Sequence, residues 1–98
     1  MARTRLADAR RLVAIEIEKA WADLEAAYRA AQVAEAAIEQ AEVNLREERD
    51  RYDNGFVTLS DLLEAEVLLH QAQDQRIEAR RDDWLARSAY LRAVGEPS

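Results

Sequence analysis

The stretch Tyr52-Asp53-Asn54-Gly55-Phe56-Val57-Thr58-Leu59-Ser60-Asp61 decides the fold, because it is the one clear interruption between two long helical patterns. Asn54 and Gly55 are residues that accept the left-handed backbone conformation with which helices end. Thr58, followed three residues later by Asp61, has the form of a capping box, and Asp61 then falls in a first helical turn where the helix dipole favours an acid. The segment therefore reads as a stop, a tight turn near residues 54–57, and a new start at Leu59.

Outward from the turn, the preceding residues contain no proline or glycine back to Arg5. Ile17, Leu24, Ala31, Ile38, Leu45 and Tyr52 recur every seven residues. Val13, Ala20, Ala27, Ala34 and Ala41 repeat at the same interval, four residues before the first five of them, which is the pattern of a coiled-coil seam. The spacing predicts a helix over about 5–53. Beyond the turn, a second helix is predicted over about 59–94, ended by Gly95 and Pro97. The expected fold is all-α: a single long antiparallel helical hairpin, or coiled coil, spanning 1–98.

The second helix carries two stripes. Leu63, His70, Ile77, Trp84 and Leu91 form one; Ala65, Ala72, Ala79, Ala86 and Ala93 form the other, displaced by two residues and so by roughly 200° around the helix. A helix in an isolated pair needs one apolar seam. Two seams predict a neighbour on each side, as in a sheet or barrel of helices.

Composition narrows the function classes. There is no cysteine and only one histidine, so thiolate metal sites and the usual nucleophile, base and orienter sets have no visible residues; catalytic, cofactor and metal sites are all expected to be absent. A net charge of −6, with the arginines scattered among more numerous acids, argues against a nucleic-acid partner. No run approaches the ~20 apolar residues needed to span a bilayer. The opening Met-Ala-Arg-Thr-Arg is not followed by the apolar core of a secretory signal, so any periplasmic location is expected to belong to a longer parent chain. His70, Trp21, Tyr28 and Trp84 read as residues that pack in seams. Arg76, Arg80 and Arg81, facing Glu78, Asp82 and Asp83, read as a solvated charge network.

The stretch from Tyr52 to Glu66 resembles the Y-x-x-G-x-x-[ST]-x-x-D-x-L-[DE]-A signature of TolC-like outer membrane efflux proteins. Flanking matches are Ala20-Trp21-x-x-Leu24 and Ala41-x-x-x-Leu45 before it, and Gln71-Ala72 and Ala89-Tyr90-Leu91-x-Ala93-Val94-Gly95 after it. The resemblance covers roughly residues 12 to 95. It implies a hairpin of the periplasmic α-barrel of a homotrimeric channel, with the turn at the periplasmic tip. Asp61 and Glu64 match acidic positions that in some members line the channel constriction, while Gly55, Phe56, Val57 and Thr58 match the tip that meets a periplasmic adaptor of a tripartite pump. Two other readings compete: a hairpin of the adaptor itself, and a plain coiled-coil dimerisation module. Taken alone, the hairpin is expected to self-associate, most simply as an antiparallel four-helix homodimer.

Overall fold

The computed structural model describes residues 2–95, with side chains from Thr4 onward. Pro97 lies outside the described residues. Two α-helices make up the fold: α1, Ala2–Asp53, and α2, Leu59–Ala93, joined by a short turn into a helical hairpin. Helix α1 begins three residues earlier than the sequence pattern predicts, at Ala2 rather than near Arg5, and α2 ends one residue earlier, at Ala93. Such terminal differences cost little, since the first and last turns lack partners for their outer backbone groups.

The chain forms two compact units. One, the tip unit, is Ala30–Arg80; the other brings the residues before Ala30 together with those after Arg80. The tip unit holds every buried side chain of the described residues: Ala34, Ile38, Leu62, Ala65 and Ala72. On its α1 side the half-buried or buried positions include Ala31, Ala34, Ile38, Ala41 and Leu45, the seam that the heptad predicts, flanked by half-buried Glu35, Ala37, Asn44 and Glu48. Three of the five seam positions are alanines, so the backbones can approach closely, and Ala65 on α2, at 2% exposure, is the least exposed residue of the seam.

On α2, the alanine stripe faces α1, but its companion is not the stripe that begins at Leu63. The inward positions run Leu62, Ala65, Leu69, Ala72, Arg76 and Ala79, alternating three and four residues apart. Leu63, Ile77 and His70 are exposed. The inward row of leucines is hard to see in the sequence because its third member is Arg76, which breaks the apolar run. Arg76 is accommodated by an ion pair to Glu35 at 3.6 Å, and Glu35 also accepts a hydrogen bond from Arg80 at 2.6 Å. Arg76 and Arg80 therefore pair across the hairpin with α1, not within a network on their own helix. Arg81 stays on its own helix, 3.6 Å from Asp82.

In the other unit the seam is looser. Ile17, Ala20, Leu24 and Ala27 on α1, with Asp83, Ala86, Tyr90 and Ala93 on α2, are only half-buried. Asp83 occupies the position seven residues after Arg76; one of its carboxylate oxygens accepts from Arg87 at 3.3 Å and the other, buried, has no partner. Trp21 packs edge-tilted on Tyr90, with ring centroids 5.4 Å apart. Even so Trp21, Tyr28 and Trp84 are 48%, 53% and 65% exposed, so these aromatics do not fill the seam as their spacing predicts. They stand beside it.

Candidate functional site at the hairpin turn

The turn is closed from both sides by backbone-directed hydrogen bonds. At the end of α1, the N–H of Phe56 donates to the carbonyl of Arg51 at 2.8 Å and that of Gly55 to Tyr52 at 3.0 Å. This pair of bonds, with Gly55 at φ +77°, is a Schellman motif. Asn54 adds a second closure, its side-chain amide donating to the carbonyl of Asp50 at 2.8 Å. At the start of α2, the N–H of Thr58 donates to Asp61 Oδ2 at 3.1 Å and the N–H of Asp61 donates to Thr58 Oγ1 at 3.2 Å. That is the reciprocal capping box the sequence predicts. Four residues, Asn54, Gly55, Thr58 and Asp61, thus fix the path of the turn.

Between the two closures, Phe56 is held out at 80% exposure, more than any other large apolar side chain described, and Val57 is half-buried. The Schellman motif often carries an apolar contact between the residue in the Phe56 position and the one in the Arg51 position. Arg51 instead pairs with Glu48 at 3.0 Å, which leaves the phenyl ring with nothing to cover it from that side.

Asp61 and Glu64 lie on one flank of the tip unit. With Glu48, Asn44, Ala65 and Leu68 they line a shallow groove of about 140 Å³. It continues along the same flank into a larger open groove of about 450 Å³, whose lining includes Ala37, Ala41 and Ala72 between Gln40, Gln71 and Gln75. No family model, curated protein or solved structure matches this chain.

That geometry brings three carboxylates, Glu48, Asp61 and Glu64, to one small area, with Arg51 as the nearby cation. Glu48 is the member the sequence reading missed. It lies on the seam side of α1, thirteen residues before Asp61, and only the closing of the hairpin sets the two side by side. Gly55, Phe56, Val57 and Thr58 form the apex, separate from the carboxylates but joined to them through the Thr58–Asp61 capping bonds. Among the described residues, no group of three or more His, Asp or Glu side chains is placed to hold a metal ion, and no helix is long and apolar enough to cross a membrane.

Proposed function

We propose that this hairpin is part of the periplasmic channel wall and tip of a TolC-like outer membrane efflux or secretion channel that docks on the periplasmic adaptor of a tripartite pump. The observation that carries the proposal is the turn itself. The signature residues Tyr52, Gly55, Thr58 and Asp61 all take part in its closure, as helix-end acceptor, left-handed glycine, cap and capping acid. Three members of the motif, Gly55, Thr58 and Asp61, each have a structural job at the same turn that depends on residue type, which is better support than a string match.

In this reading Gly55, Phe56, Val57 and Thr58 form the contact with the adaptor, and the bare Phe56 ring supplies apolar area for it. Asp61 and Glu64 face the lumen. In a self-trimer, three copies of each carboxylate would form a ring that repels itself, draws cations and narrows the entrance. The second apolar stripe on α2, exposed from Leu63 to Leu91, suits a wall in which each helix has a neighbour on both sides. A plain two-helix coiled coil would leave no such stripe.

Planar-bilayer recording on the full-length channel containing this hairpin tests the proposal. Asp61→Asn with Glu64→Gln keeps hydrogen-bonding atoms for the cap while removing both charges. The expected result is a channel with weaker cation preference and a higher resting conductance. A protein that forms no channel, or one whose conductance and selectivity are unchanged by the pair, contradicts the reading.

A further inference from the structure

Away from the turn, the unit that joins the residues before Ala30 to those after Arg80 carries a feature that the packing of the hairpin does not use. Trp21 and Tyr28 stand seven residues apart on α1, about two helical turns, and so on one stripe beside the seam. Both keep roughly half of their surface exposed. A pocket of about 230 Å³ is bounded by Trp21, Leu24, Glu25 and Tyr28 from α1 and by Arg87 from α2. The tilted contact of Trp21 with Tyr90, 5.4 Å between ring centroids, braces the indole where it stands.

Two groups of opposite charge complete this lining, and the hairpin uses each of them only in part. The ion pair of Glu25 with Arg29 is long, at 3.8 Å, and engages one carboxylate oxygen. Arg87 reaches Asp83 through a single nitrogen, Nη2, at 3.3 Å, and a guanidinium has five N–H donors. Glu25 and Asp83 together offset Arg29 and Arg87, so the surroundings are neutral as a whole while both signs face the pocket. A simple cation would meet the charge of Arg87. A simple anion would meet Glu25 and the electron-rich faces of the two rings, and a purely apolar ligand would cover both charged groups without pairing either. A ligand that carries both charges answers each of them.

From this we infer that the pocket binds a small zwitterion, with an alkylated ammonium group and an anionic group a few bonds apart, the chemistry of phosphocholine. The ammonium lies against the faces of Trp21 and Tyr28, held by cation–π attraction, for which tryptophan is the best of the aromatic side chains. Glu25 adds a direct opposite charge, and Leu24 receives the alkyl groups on the nitrogen. The anion lies on Arg87, whose planar fork matches the oxygens of a phosphate or a carboxylate. Because Arg87 comes from α2 and the other four residues from α1, the pocket is complete only where the two helices are packed together. It uses none of the turn residues, so the inference is independent of the channel reading and can fail while that reading stands.

Trp84, the second of the two tryptophans, is exposed and outside the pocket lining, so Trp84→Phe leaves Trp21 as the sole indole reporter. The full chain with that change is titrated with phosphocholine, choline and inorganic phosphate, and Trp21 fluorescence is followed. Phosphocholine is expected to bind saturably, choline severalfold more weakly, and phosphate without saturation. Tyr28→Ala should weaken phosphocholine by about 2–5-fold, the size of one exposed cation–π contact. Arg87→Gln keeps a donor for Asp83 and should bring phosphocholine down to the level of choline without weakening choline, a selective effect that a general loss of helix would not produce. Phosphatidylcholine vesicles separate the two sources of such a group: co-sedimentation identifies a lipid headgroup, and binding of free phosphocholine alone identifies a soluble zwitterion. Choline binding as tightly as phosphocholine, a phosphocholine affinity that neither Tyr28→Ala nor Arg87→Gln changes, or no saturable signal at high millimolar concentration would each overturn the inference.

Discussion

Replacing Ile38 by alanine is expected to cost the hairpin about 2–5 kcal/mol, the range for deleting a buried isoleucine side chain. Ile38 is 4% exposed, and its seam neighbours one turn away on α1 are both alanines, Ala34 and Ala41. Neighbours that are already small cannot move in to fill the space, which puts the cost toward the upper part of that range. A hairpin this thin has no second layer to share the loss. Urea unfolding followed by helical circular dichroism should therefore show a midpoint well below that of the parent. Val33→Ala is the matched control: at 69% exposure it should shift stability by no more than ~0.5 kcal/mol. The same seam should resist enlargement. Ala65→Leu, at the least exposed seam position, should cost about 1–3 kcal/mol by overpacking the seam. If Ile38→Ala and Val33→Ala unfold alike, the assignment of α1's inner face is wrong.

A valine at position 55 is expected to lower stability by about 1–2 kcal/mol through the backbone alone, toward the upper end because the side chain is β-branched. A β-carbon at Gly55 would meet nothing within 4 Å, so the cost comes chiefly from φ +77°. Asparagine tolerates that region, and Gly55→Asn should recover most of the loss. Gly95 offers an internal comparison. It has φ +84° and equally open surroundings, yet it closes only the end of α2, where fraying leaves the rest of the hairpin intact. Gly95→Val should therefore change the midpoint far less than Gly55→Val. Equal effects at the two glycines would mean that the turn is not what joins the helices.

Much of this is legible in the sequence alone. The turn was readable because its chemistry is local: Asn54-Gly55 stops a helix and Thr58 with Asp61 starts one, whatever else the chain does. The α1 seam was readable because Ile17 through Leu45 keep an unbroken heptad. The α2 seam was half readable. Its alanines stand out, but the partner row passes through Arg76 and Asp83, and a charged residue at a seam position looks like surface until its partner is known. For Arg76 that partner is Glu35, forty-one positions away. Glu48 joined the carboxylates at the turn for the same kind of reason, since nothing local ties it to Asp61 or Glu64. The aromatics misled in the opposite direction: helical spacing shows which face a tryptophan occupies but not whether that face is covered. Trp84 follows Leu63, His70 and Ile77 on the outward stripe, and hydrophobicity alone does not distinguish an inner seam from an outer one.

The central claim, that the hairpin belongs to an outer membrane channel, is tested most directly by finding the protein in the cells it comes from. An antibody raised against the hairpin, used on separated membrane fractions, should detect a protein several times the hairpin's mass in the outer membrane. Recovery from the inner membrane, as an adaptor would show, or a soluble species of the hairpin's own size in either aqueous compartment, would contradict the claim.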